Sequence, residues 1–194
     1  MNIAVSEAPI GEVAQVAQIP IAFRVERICE VTPGADDSSV LSLTEHTVSA
    51  PYLKDYDAIA CEGPTQWAKY FDLTNWGLIR ASVGARLVGS VVIAHRTPGV
   101  AMLEARDDLA VIWDIRVVPE LRGLGVGSKL LDAADQWAIS HGCTELKIET
   151  QNINVAACRL YARHGCALLA VHRNAYPDLP HEIQLLWRKP LPAT

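Results

Sequence analysis

The chain predicts a mixed α/β domain, and three observations carry that prediction. A β-branched run beginning at Val111 enters a glycine-rich turn that opens onto an amphipathic helix ending near His141. A second strand and helix follow directly, from Glu145 to Gly165. Half of the 194 residues are apolar, enough for one sizeable core and a single domain over residues 1–194.

Taken in order, the first twenty residues read as irregular. They carry Glu7 and Glu12 and no basic residue, which does not fit a secretory signal. A strand is expected over Ala22 to Val31, followed by a less regular, partly helical region. A hairpin then pairs Gly77 to Val83 with Leu87 to His95 around Gly84, Ala85 and Arg86. The run from Val111 to Val118 is a strand, interrupted by Asp114 in otherwise apolar company.

A helix is expected from about Leu124 to His141, because Leu130, Leu131, Ala134, Trp137 and Ala138 recur at helical spacing, with Asp132, Asp135 and Gln136 opposite. Glu145 to Thr150 alternates as a strand, and a helix runs from Asn154 to a glycine stop at Gly165. Strands over Ala167 to Arg173 and Glu182 to Arg188 complete the order: strand, helices, three strands, helix, strand, helix, two strands.

Gly123, Gly125 and Gly127 remove side chains from one face of the turn and allow conformations that other residues resist. The amides and dipole of the following helix then favour an anion, and Arg122 adds a two-pronged charge suited to phosphate oxygens. A nucleotide triphosphatase loop needs its lysine one place earlier than Lys129. A dinucleotide turn needs Gly-x-Gly-x-x-Gly directly after a strand. Here the spacing is Gly-x-Gly-x-Gly, and the chain after Gly127 is short for the remaining elements, although Glu149 sits where a ribose-binding acid would. Taken alone, the loop could serve only chain reversal.

Together with Asn154, Tyr161 and Gly165, the turn resembles the Gcn5-related N-acetyltransferases, with the cofactor-binding core at about residues 111 to 189. The resemblance implies a mixed, mostly antiparallel sheet splayed between two parallel strands and flanked by helices, with acetyl-CoA as co-substrate. Arg122, Gly123, Gly125, Gly127 and Ser128 would cradle the pyrophosphate, Asn154 would hold the pantetheine arm, and Tyr161 would protonate the departing thiolate. Backbone amides near Val117 would polarise the thioester carbonyl. Cys166 stands where the family usually has an aromatic residue, which changes packing and leaves the cofactor site intact.

An attacking amine must lose a proton, and Asp114 and Glu149 are the candidate bases; structural carboxylates at both positions are the alternative. The stretch from Val171 to Trp187 is similar to the streptothricin acetyltransferase branch. Tyr176 and Glu182 are therefore candidate acceptor contacts, as against a packing tyrosine and a strand-edge glutamate. The expected reaction is direct attack of a small-molecule primary amine, with a streptothricin-like antibiotic as the first acceptor class. A peptide or protein amine, a non-catalytic coenzyme-binding module and acyl groups longer than acetyl are the alternatives.

The net charge of −5 disfavours nucleic acid. The stretch from 35 to 62, with Asp36, Asp37, Glu45, Asp55, Asp57 and Glu62, either favours a cationic acceptor or is a solvated face. No apolar run is long enough for a membrane span. Five unpatterned cysteines fit a reducing cytoplasm, and six scattered histidines imply no metal. Related enzymes are often dimers, so a homodimer is expected.

Overall fold

In the computed structural model the described residues are 2–33, 41–59 and 62–192; Asp36, Asp37 and Cys61 lie outside them. In chain order the strands are β1 (Ala4–Ala8), β2 (Phe23–Pro33), β3 (Leu41–Lys54), β4 (Gly77–Val83), β5 (Arg86–His95), β6 (Leu109–Val117), β7 (Glu145–Gln151), β8 (Ala167–His172) and β9 (Gln184–Pro190). The α-helices are α1 (Trp67–Tyr70), α2 (Val126–Ser140) and α3 (Val155–Arg163). Two compact units divide the chain: Met1–Ala22, Asp55–Lys147 and Lys189–Thr194 form one, and Phe23–Lys54 with Ile148–Arg188 forms the other.

In the first unit the strands run β1-β4-β5-β6, each antiparallel to its neighbour. Its core gathers Val13, Val16, Trp67, Trp76, Leu78, Val92, Leu109 and Val111. Trp113 joins as the edge partner of Trp67, at 6.5 Å between ring centroids. The β5–β6 register slips between Val92 and Ile93, so Trp113 is the extra residue of a bulge. A bulge re-aims the next side chain and is common beside active sites. Here that side chain is Asp114.

Helix α2 lays Val126, Leu130, Leu131, Ala134, Trp137 and Ala138 inward. Two glycines permit its close approach. A Cβ on Gly77 would stand 2.6 Å from Trp137, and one on Gly89 would stand 3.0 Å from Leu130. Asp135, expected on the outer face, is instead buried and paired with Lys189, because it borders the apolar stripe rather than opposing it.

In the second unit β2 pairs antiparallel with β3, and β8 with β9. Asn152 joins three segments of this unit: its Nδ2 donates to the Cys29 carbonyl at 3.2 Å, and its Oδ1 accepts the Ile183 amide at 2.9 Å. Both α2 and α3 end in the same hydrogen-bonded glycine turn. Cys143 bonds to Ala138 and Cys166 to Tyr161, with Gly142 and Gly165 in the left-handed region. In each helix a buried cysteine follows the glycine.

The amino-terminal expectations need correction. Residues 4–8 form a strand and 10–18 a 3-10 helix, not an irregular lead. The helices expected after the strand at Phe23 are replaced over residues 41–54 by the 14-residue β3. Its period-two pattern is blurred by polar residues on both faces, and pairing with β2 supplies the order that the pattern does not.

Candidate active site

The turn that enters α2 lies in the first unit. Pro119–Leu121 tighten into a short 3-10 turn, and Arg122 returns to extended backbone. Gly123 and Gly125 then adopt φ of 76° and 86°, and nothing lies within 4 Å of where a Cβ would stand on either. Gly125 is the N-cap of α2, so no side chain caps the helix. Amides of the first helical turn have no partner within the helix. With an open approach over the glycines, they fit a phosphate group.

The Arg122 side chain is committed elsewhere. Its Nε donates to the Val117 carbonyl at 2.9 Å, Nη1 to Ala22 at 2.7 Å and Nη2 to Pro20 at 2.7 Å. It thereby ties residues 20–22 to the end of β6. Burial holds its pKa below the usual arginine value. Val117, the last residue of β6, pairs with Gly89, and the Val118 amide bonds to Val88.

Asp114 is buried, and its carboxyl is pushed up to about 6, first by burial, against the nearby Arg116, and further by Asp57. The Arg116 Nε reaches both Asp114 oxygens at 2.9 Å. Its Nη1 and Nη2 take Asp57 at 2.6 and 2.9 Å. In the sequence Asp57 stands out only as part of an acidic stretch, and Arg116 not at all. For Arg116 the available signal was its strand position, since residues 114 and 116 share one face.

The second unit holds the remaining candidates. Asn154 caps α3, its Oδ1 accepting the Ala157 amide at 3.2 Å. Tyr161 lies two turns along the same face and is buried, with its ring edge-on to Trp187 at 6.1 Å. Glu149 and Tyr176, predicted separately, are brought together. The Tyr176 hydroxyl donates to Glu149 Oε1 at 2.6 Å, and Gln184 Nε2 donates to Oε2 at 2.8 Å. Gln151 Nε2 completes the network by donating to the tyrosine oxygen at 3.0 Å. Burial, then the bond to Glu149, raises the Tyr176 pKa far above its ordinary value.

Glu182 is a separate case. It is buried and ion-paired to Lys54, whose side chain is also largely covered. Its charge is therefore balanced within the unit. Lys54, Gln151 and Gln184 carry no motif in the sequence; only their side-chain contacts in the folded unit reveal them. The acidic residues of the 35–62 stretch are partly engaged as well, since Glu45 pairs with Arg159 and Asp55 accepts the Asp57 amide. Among the described residues, no group of His, Cys, Asp or Glu is arranged to hold a metal, and no helix is long and apolar enough to cross a membrane.

A glycine turn with an open approach, leading into an uncapped helix, defines a protein that can take a phosphate-bearing ligand. The chain belongs to the acetyltransferase (GNAT) family, whose model matches residues 43–166. It is accordingly an acetyl-CoA-dependent N-acetyltransferase, with a mixed α/β fold in which helices flank a central mixed sheet.

It is 30% identical over 155 residues to streptothricin acetyltransferase A of Bacillus subtilis (strain 168), covering 79% of this chain and 82% of that protein. Among solved structures it is similar to a nourseothricin acetyltransferase, with a TM-score of 0.73 and 23% identity over 99% of this chain and 100% of that one. A Bacillus anthracis str. Ames protein described as a streptothricin acetyltransferase, solved with acetyl coenzyme A, superposes with a TM-score of 0.77 at 23% identity, covering 98% and 100%. These two likenesses concern the fold.

Proposed function

We propose that the protein acetylates a primary amine of a cationic small molecule of the streptothricin type, by direct attack within a ternary complex. The observation that carries the cofactor half is the open glycine turn, where Gly123 and Gly125 leave clear space before uncapped α2. The amides of Gly125, Gly127 and Ser128 would meet the pyrophosphate. Arg122 would act mainly by bracing this turn through Val117, Ala22 and Pro20, since its donors already serve those carbonyls. Asn154 uses Oδ1 in its cap, so its Nδ2 donors are the ones that would meet the pantetheine arm.

Acetyl-CoA supplies an acetyl group activated as a thioester. Asp114, at about 6, is largely ionised at neutral pH yet basic enough to accept the proton of the attacking ammonium, directly or through water. Glu149, held at Oε1 by Tyr176 and at Oε2 by Gln184, would contact the acceptor, and Tyr176 would shape that contact. Tyr161 would return a proton to the leaving thiolate. Support for the acceptor class comes from the likeness to the Bacillus subtilis streptothricin acetyltransferase over four-fifths of the chain.

The test is release of free thiol from acetyl-CoA with streptothricin, aminoglycosides, polyamines and amino-terminal peptides. Turnover on streptothricin well above the others supports the proposal. Turnover only on peptides makes the protein a peptide acetyltransferase, and coenzyme binding without turnover on any amine makes it a binding module.

A further inference from the structure

Asp114 and Asp57 share one guanidinium unequally. The planar two-pronged end of arginine is its best carboxylate site, because two parallel N–H bonds meet two oxygens. Asp57 holds that end, at 2.6 and 2.9 Å, while Asp114 receives only Nε. Arg116 is fixed further by the Ile19 carbonyl, 3.2 Å from Nη1. One positive charge therefore faces two carboxylates. The Asp114 side chain is almost fully covered and that of Asp57 is 30% exposed, so the buried member cannot draw on water for the missing stabilisation.

The charged groups acting on Asp114 are Arg116 from its own strand and Asp57 from the segment after β3. Opposite it on β5 stands apolar Val92. The Ile19 backbone contributes a carbonyl and no charge. Removing Asp57 would change both interactions in the same direction: a neighbouring negative charge disappears, and the guanidinium fork becomes available to Asp114.

We infer that Asp57 is a positioning residue for Asp114, acting through Arg116: by occupying the fork it keeps the guanidinium from closing on Asp114 and so preserves Asp114 as a proton acceptor. This rests on the reading of Asp114 as the base. Asp57 need not touch the acceptor to act in this way.

The decisive experiment follows the Asp114 carboxyl carbon by NMR through a pH titration in the wild-type chain, Asp57→Asn and Asp57→Glu, with the pH dependence of kcat/KM for streptothricin measured alongside in these and in Asp114→Asn. The Asp114 midpoint is expected to fall by about one pH unit in Asp57→Asn and to return in Asp57→Glu. The acid limb of the rate profile should move with it. Should Asp57→Asn not fold, Asp57→Ser removes the same charge and carries the same expectation. A midpoint and limb unmoved by loss of the Asp57 charge, with the limb abolished in Asp114→Asn, overturn the role of Asp57 alone. A wild-type profile with no acid limb, or a limb that survives Asp114→Asn, overturns Asp114 as the base and the role of Asp57 with it.

Discussion

Tyr176 and Glu149 form one hydrogen-bonded unit, with the tyrosine hydroxyl donating to the carboxylate at 2.6 Å while accepting from Gln151 at 3.0 Å. The two residues are 27 positions apart and sit on different elements of the second unit. The phenol proton is spent on Glu149, so Tyr176 has no proton to offer a substrate.

Tyr176→Phe should therefore act on Glu149. Loss of a hydrogen bond to a charged, partly buried group costs about 2 kcal/mol. Urea unfolding should show a drop of that order, and KM for a cationic acceptor should rise more than kcat falls. A variant as stable as the parent, with unchanged KM, would show that the network is dispensable.

Tyr161→Phe tests the proposed acid. The ring would keep its edge-on contact with Trp187, so packing should be preserved. General acid catalysis is worth roughly 10²-fold or more. Turnover should fall by about that factor while coenzyme affinity by calorimetry stays close to the parent. Equal turnover would refute the assignment.

Gly125→Ala probes the proposed phosphate turn. At φ 86° an alanine is strained by about 1–2 kcal/mol, and a new Cβ would project into the open approach above the turn. Coenzyme affinity should drop at least tenfold with only a small loss of thermal stability. Intact affinity would mean that the phosphates lie elsewhere.

Gly77→Ala tests packing remote from this turn. Its Cβ would meet Trp137 ring atoms at 2.6 to 2.9 Å, with the Trp137 indole held by Glu7 at 3.1 Å. Overpacking of this kind costs about 1–3 kcal/mol. The unfolding midpoint should fall by several degrees, and coenzyme affinity measured below the transition should be nearly normal.

Much of this architecture was legible in local sequence. Helix α2 follows from apolar spacing and α3 from its start at Asn154, and both end before a glycine, Gly142 and Gly165, in the left-handed region. The β4–β5 hairpin follows from alternation around Gly84, and the family resemblance follows from the glycine turn with Asn154 and Tyr161. These are short-range properties: a period, a cap or a turn depends on residues within a few positions of one another.

What the sequence by itself determined, then, was the identity and order of the carboxyl-terminal elements and the residue types proposed for phosphate and thioester chemistry. The tertiary structure alone decided which atoms those residues engage. Arg122 reads as a phosphate ligand, yet it bonds to carbonyls 100 and 102 positions away. Asp114 reads as a lone strand carboxylate, yet its basicity depends on Asp57, 57 positions earlier, through a shared guanidinium. Hydrogen-bond partners and burial are set by which distant segments pack together, and no periodicity in the chain encodes that choice.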